Sequence, residues 1–122
     1  MKIYTTSRDD YLKALLVLQK KLGQVRSVDL ANYLDVSRAS VCRAVSGLEE
    51  SGYILMEADH HLSFTEKGRQ IAENIYERHC FFTRHLMDVG VDSVTAEEDA
   101  CRLEHAISEK SFRMLKQALE QS

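Results

Sequence analysis

Residues 101–105 place three metal-binding side-chain types close together in the sequence. Cys101, Glu104 and His105 occupy positions i, i+3 and i+4, so on a helix they project from one face and can reach a single ion. A thiolate, a carboxylate and an imidazole form a mixed donor set that suits a divalent transition metal. Because so short a pattern also occurs by chance, ligands from other segments are needed to support a metal site.

Two residues outside this segment are candidates to complete the set. His79 lies on the apolar face of a predicted helix, where an inward histidine is either a satisfied core residue or a ligand. Asp10 lies in the first turn of another predicted helix, where it caps the helix, binds metal, or does both. The candidate metal ligands are therefore Asp10, His79, Cys101, Glu104 and His105.

Apolar periodicity predicts the elements that must position these residues: six helices and one short hairpin. The expected helices span 7–22, 28–34, 38–51, 66–88, 95–106 and 109–120, and the expected strands 53–57 and 62–64. Capping boxes are predicted for Ser7 with Asp10 and for Thr95 with Glu98. The apolar faces are expected to bury, among others, Leu22, Val28, Leu103, Leu115 and Leu119.

The order of helix, helix, tight turn, helix and hairpin predicts a winged helix-turn-helix DNA-binding domain over 1–69, followed by a helical domain over 70–122. The second helix of the motif would present its N-terminal residues to the major groove. The candidate DNA-binding residues are Ser37, Arg38, Ala39, Ser40 and Arg43. The alternative is a helical bundle whose arginines are merely solvated.

The 122-residue chain has a net charge of −3, which as a single number argues against a nucleic-acid partner. Residues 1–69 carry a balance of +1, however, and residues 70–122 a balance of −4, so the acidity belongs to the second part. Three widely spaced cysteines make a disulfide framework improbable and fit a reducing cytoplasm. We also expect neither a membrane span nor a secretory leader.

The chain resembles the diphtheria-toxin-repressor family of iron- and manganese-dependent transcriptional regulators along nearly its whole length. The resemblance rests on the helix-turn-helix and on TSRDDYL (6–12), LSFTEKG (62–68), RH (78–79) and DACRLEH (99–105). It implies a mostly α fold, in which the winged helix-turn-helix precedes a helical dimerisation and metal-sensing domain. It also implies a homodimer, the five metal ligands above, a palindromic DNA operator, and repression of metal-uptake genes.

Several positions depart from the family pattern. Lys13 stands where manganese-type members have a second carboxylate, and a cation there would repel a second ion. Iron-type members have Met at the position of Asp10, and their ancillary site uses groups that Thr83 and Glu97 replace here. We expect a short form without the SH3-like domain of iron-type members. The thiolate favours Fe(II) as cofactor, with Mn(II) second.

The sequence leaves rival interpretations open. In one, a metal-independent winged-helix regulator senses a small organic ligand, and the polar cluster is incidental. In others, the cluster is a structural zinc site or the centre of a small hydrolase, although no segment supplies a substrate pocket. The favoured hypothesis is that the metal joins Asp10 to the four ligands of the second domain and so fixes the two winged units of a dimer for DNA binding.

Overall fold

The computed structural model describes residues 7–120, which contain six helices and two strands. Thr6 of the first sequence motif and the outer ends of both predicted domains lie outside the described residues. The chain forms two compact units that divide between Asn74 and Ile75, within the fourth helix. The predicted domain boundary after residue 69 also falls within that helix.

The first unit begins with α1 (Arg8–Leu22), which starts with the predicted capping box. The Asp10 N–H donates to Ser7 Oγ at 3.3 Å, and the Ser7 N–H donates to Asp10 Oδ2 at 3.0 Å. These bonds satisfy donors at the helix start that have no partner within the helix. The helix ends at Gly23, whose φ of +83° is accessible to glycine without strain.

The next two helices, α2 (Ser27–Leu34) and α3 (Arg38–Glu50), form the predicted helix-turn-helix. Asp35 ends α2 in the left-handed conformation with a φ of +55°, which turns the chain sharply. Ser37 caps α3, and its Oγ accepts a hydrogen bond from the Ser40 N–H at 3.1 Å. The turn between the helices is therefore only a few residues long and is defined by local hydrogen bonds.

The wing consists of β1 (Ile54–Met56) and β2 (Leu62–Phe64), which pair as antiparallel strands. Leu55 lies opposite Ser63 in the register. At the tip, the Asp59 carboxylate contacts the His61 ring, and this hydrogen bond lowers the pKa of Asp59 below its ordinary value. The tip is thus a structured turn in which His61 is held by Asp59.

Buried apolar residues from every element of the first unit form its core. Val41, Val45 and Leu48 of α3 are buried as predicted. Two predicted core positions are wrong, because Leu22 and Val28 are exposed. Leu22 ends its helix beside the glycine turn, and in α2 the buried face is formed by Leu30, with Ala31 and Leu34, instead of Val28.

The second unit contains the remainder of α4 (Glu66–Asp88), together with α5 (Ser93–Ala106) and α6 (Glu109–Glu120). Its apolar core is small and largely aromatic. Phe112 of α6 is fully buried, and its ring centroid lies 5.3 Å from that of Phe81, in an edge-on arrangement. Phe82 and Ala100 complete this cluster, and Ile107 packs against it.

Several predictions for the second unit are corrected by the structure. The predicted cap of α5 is wrong, because the helix begins earlier and Asp92 accepts the hydrogen bond from the Thr95 N–H at 3.0 Å. This bond lowers the pKa of Asp92. Three leucines expected in the core, namely Leu103, Leu115 and Leu119, are exposed.

Cys42 of α3 is also exposed. Among the described residues, none of the helices combines the length and apolar character needed to cross a membrane.

Candidate functional site

The candidate metal centre begins with the buried side of α5. Ala96, Ala100 and Glu104 follow at a spacing of four residues, so they form one stripe along the helix, and all three are buried. The Glu104 side chain has no exposed surface. Burying an ionised carboxylate is costly unless a partner balances its charge, so the groups around Glu104 indicate what this position does.

Two other predicted ligands lie beside this buried carboxylate. His79 of α4 places Nδ1 2.9 Å from Glu104 Oε1, and Cys101 Sγ lies 3.9 Å from the same nitrogen. One nitrogen, one sulfur and one oxygen donor from His79, Cys101 and Glu104 lie within 4.8 Å of one another. A single ion can therefore be reached by all three without a large rearrangement of the backbone.

His105 extends the cluster toward solvent. Its Nε2 lies 3.4 Å from Glu104 Oε2, and about a third of its side chain is exposed (34%). Four of the five predicted ligands thus belong to one compact unit, on α4 and α5. The cluster has a dry interior formed by Glu104 and a wetter edge formed by His105.

The donor set fits a divalent transition metal. Thiolate, imidazole and carboxylate together suit iron and its neighbours in the first transition row, whereas Mg²⁺ and Ca²⁺ prefer oxygen donors alone. The buried carboxylate beside a thiol would gain charge balance from such an ion. The residues present therefore fit the group that the sequence predicts.

Asp10, the fifth predicted ligand, belongs to the first unit. It is 5% exposed and bonds Ser7 through Oδ2 at the start of α1. Its capping role, one of the two that the sequence allowed, is therefore confirmed, and its role as a ligand stays a prediction. Lys13, one turn later on the same helix, is also buried.

Two other departures from the family pattern lie in the second unit. Thr83 is half-buried, and among the described residues its Oγ1 finds no hydrogen-bond partner. Glu97 is exposed on α5.

Cys80, next to His79 in the sequence, is exposed and lies outside the cluster that His79 forms.

The candidate DNA interface lies at the start of α3. Arg38, Ala39 and Arg43 are exposed, whereas Ser40 is half-buried. Ser37 is exposed and donates from Oγ to Ser40 Oγ at 2.9 Å. The serines thus define the helix start, and the two arginines are free to contact bases or phosphates beside a helix N-terminus, which itself favours anions.

Two family models together match nearly the whole chain. Residues 4–62 match the model described as the N-terminal DNA-binding domain of iron-dependent repressors. Residues 65–122 match the metal-binding and dimerisation domain of the same repressors. The chain belongs to the iron-dependent repressor family. The resemblance predicted from the sequence motifs is therefore confirmed.

Curated relatives of this iron-dependent repressor family member are regulators. An HTH-type transcriptional regulator of Methanocaldococcus jannaschii is 31% identical over 116 residues, which cover 93% of each chain. The MntR regulator of Shouchella clausii is 33% identical over 104 residues, or 85% of this chain and 73% of the relative. MntR of Listeria welshimeri is 33% identical over 108 residues, which cover 88% of this chain and 76% of the relative.

Solved structures share the fold at lower identity. The manganese regulator SloR has a TM-score of 0.83 at 24% identity, with 97% of this chain and 55% of SloR covered. IdeR of T. acidophilum has a TM-score of 0.82 at 20% identity, and the match covers 97% of this chain and 56% of IdeR. The chain therefore spans little more than half the length of these two proteins.

The family comparison confirms the predicted fold class, a mostly α winged helix-turn-helix followed by a dimerisation domain. It also confirms that the protein is a metal-dependent DNA-binding regulator and not an enzyme. The metal is established as a divalent ion, iron or manganese. The individual ligands and DNA contacts stay predictions.

In this iron-dependent repressor family member, Tyr53 at the base of the wing makes contacts that no sequence pattern indicated. Arg8 Nη1 donates to the Tyr53 hydroxyl at 2.8 Å, and the Lys67 Nζ lies 4.6 Å from the centre of the Tyr53 ring. Such cation–π contacts hold exposed cations in place. Since these residues are far apart in sequence, no spacing pattern could have linked them.

Replacing Arg43 with Ala is expected to weaken DNA binding about 5- to 150-fold, because the loss of one base or phosphate contact costs that much. Loss of a phosphate contact would also reduce the slope of log affinity against log salt by about 1, whereas loss of a base contact would relax sequence preference at one position. Fluorescence anisotropy at several salt concentrations measures both. Lys110→Ala, at an exposed position on α6, is the control, and equal affinities for the two variants would contradict the assignment.

Proposed function

We propose that this protein is a homodimeric repressor of metal-uptake genes, which binds a palindromic operator when loaded with Fe(II) or Mn(II). The observation that carries the proposal is the mixed donor cluster of His79, Cys101 and Glu104. It belongs to a chain whose other unit exposes Arg38 and Arg43 at the start of a helix-turn-helix recognition helix. Such a chain combines a site that could sense metal with a helix that could bind DNA. Cytoplasmic location follows from the role proposed.

The ion would be held by His79, Cys101, Glu104 and His105, with Asp10 as the fifth ligand that the family resemblance implies. When bound, it supplies positive charge that balances the thiolate and carboxylates. We place Fe(II) first because the thiolate is a soft ligand, although the names of the MntR relatives and of the manganese regulator SloR point to Mn(II). Since the ligands must lose protons to bind, metal affinity is expected to fall as the pH is lowered.

Asp10 supplies the proposed connection to DNA binding. It lies on α1, which packs against α2 and α3 in the first unit. An ion that bound Asp10 would therefore act directly on the unit that carries the DNA-facing arginines. Differential binding of the ion to two conformations is what shifts the equilibrium between them.

Metal is expected to raise operator affinity about 5- to 150-fold, the usual range for an allosteric coupling of 1–3 kcal/mol. The operator would be a duplex selected from random-sequence DNA in the presence of Mn(II). Anisotropy titrations under anaerobic conditions, with Fe(II), with Mn(II) and with chelator, measure the ratio. Equal affinity with metal and with chelator would overturn the proposal.

The rival interpretations predict different results in the same assay. A metal-independent regulator would retain DNA control after Cys101→Ala, whereas the proposed sensor would lose most of its metal response. A structural zinc site would make chelator unfold the protein, which circular dichroism detects, instead of only releasing DNA. The repressor proposed here stays folded in chelator.

A further inference from the structure

Arg78, the neighbour of the candidate ligand His79 on α4, reaches across to the end of α5. Its Nη1 donates to the carbonyl oxygens of Ile107 at 2.8 Å and Glu104 at 3.3 Å. The last carbonyls of a helix have no partner within the helix, and a cation there interacts favourably with the helix dipole. Arg78 therefore closes the C-terminus of α5 from a different helix.

The other side of the Arg78 guanidinium is held by α6. Its Nη2 donates to Glu109 Oε2 at 2.6 Å, and its central carbon lies 5.4 Å from the centre of the Phe112 ring. Arg113 Nε donates to Glu109 Oε1, the other oxygen of this carboxylate, at 2.7 Å. The hydrogen bonds from Arg113 and, to a lesser degree, from Arg78 lower the pKa of Glu109. The Arg78 side chain is only 16% exposed, so it occupies a defined position between α5 and α6.

Glu104 is consequently held at both ends by two consecutive residues of α4. His79 contacts its carboxylate at 2.9 Å, and Arg78 contacts its backbone carbonyl at 3.3 Å. Neither contact alone fixes the side chain, because a carboxylate can rotate about its own bonds and a helix end can fray. Together they define both where the residue sits and where its oxygens lie.

We propose that Arg78 is a positioning residue of the metal centre, which holds Glu104 and the end of α5 in place for the ion. The inference rests on the proposed metal site. Arg78 carries a positive charge and does not itself bind the ion. Groups that orient metal ligands in this way typically contribute 10- to 100-fold to metal affinity.

Arginine is suited to this role in a way that lysine is not. The planar guanidinium presents five donors in a fixed fork, so it can bond two carbonyls and a carboxylate at the same time. Lysine would keep the charge but not the geometry. A purely electrostatic role makes the opposite prediction from a positioning role, because removing a nearby cation would then strengthen the binding of a divalent ion.

The test is a Co(II) titration of the full chain, in which a thiolate-to-metal charge-transfer band that is lost in Cys101→Ala reports ligation by Cys101. Arg78→Met is expected to raise the dissociation constant about 10- to 100-fold and to alter the ligand-field bands. Arg78→Lys should fall between Arg78→Met and the wild type. Arg84→Met is the matched control, because Arg84 lies on the same helix but pairs with Glu120 on the surface. It should bind Co(II) like the wild type.

Glu109→Gln keeps the inference testable if Arg78→Met does not fold. It leaves Arg78 and its carbonyl bonds in place but weakens their support, and a several-fold loss of Co(II) affinity is expected. Wild-type affinity and spectrum in Arg78→Met, or in Glu109→Gln when Arg78→Met is unfolded, would overturn the inference. Absence of the charge-transfer band in the wild type would instead overturn the proposed metal centre, and with it the inference.

Discussion

Replacing Glu104 with Gln is expected to lower the affinity for Fe(II) or Mn(II) by at least about 100-fold and to abolish the metal response of DNA binding. Even residues that only orient a ligand contribute 10- to 100-fold to metal affinity, so loss of a ligand should cost more. Gln keeps the size of the side chain but removes its negative charge. The expected loss is therefore chemical and not steric.

The same substitution should leave the metal-free protein folded. Glu104 is fully buried beside the His79 ring and the Cys101 thiol, and a neutral amide can still accept a hydrogen bond from His79. Because the amide also keeps the volume of the side chain, the variant without metal should stay folded. The binding function and the fold are thus separable at this position.

Thermal unfolding with and without Mn(II) measures both effects in one experiment. An ion at 100 times its dissociation constant stabilises the folded state by about 2.7 kcal/mol, which raises the melting temperature of the wild type. Glu104→Gln should show little of this rise. Glu98→Gln, on the exposed side of the same helix, should show all of it. A full metal-induced rise in Glu104→Gln would remove Glu104 from the ligand set.

The ligand spacing in α5 was predictable because it is local. Cys101, Glu104 and His105 needed only helical geometry to share a face, and α4 was predicted at 66–88, where the structure has it. The buried side of α5 was predictable only in part. The periodicity placed Ala96, Ala100 and Leu103 in the core; the two alanines are buried, but Leu103 is exposed and the buried stripe ends on Glu104. A sequence pattern favours leucine over glutamate in a core because it does not show the partner that stabilises a buried carboxylate.

Contacts between distant segments were the part that the sequence could not supply. Arg78 bonds carbonyls 26 and 29 residues away, and any residue type provides a backbone carbonyl, so its partners leave no trace in the sequence. The contact of the Lys67 ammonium with the Tyr53 ring is likewise not indicated by any sequence pattern. The predicted cap of α5 failed because Asp92, three residues before Thr95, accepts the hydrogen bond from the Thr95 N–H and starts the helix earlier.

Gly68→Ala is expected to lower the free energy of unfolding by at least about 3 kcal/mol, the upper part of the range for overpacked sites. A Cβ at Gly68 would lie 1.9 Å from the carbonyl oxygen of Tyr53 and 2.7 Å from its carbonyl carbon. These are backbone atoms at the base of the wing, where the Thr65 N–H donates to the same carbonyl at 3.1 Å. The strain cannot be relieved by rotating a side chain.

Gly47→Ala provides the control, with an effect of opposite sign. Gly47 lies within α3, and a Cβ there would meet nothing within 4 Å, so alanine should stabilise the helix by about 0.5–1 kcal/mol. Urea unfolding of the metal-free protein measures both variants on one scale. Similar stabilisation in both would mean that α4 begins without contacting Tyr53, whereas the expected opposite signs show that the wing is fixed through Gly68.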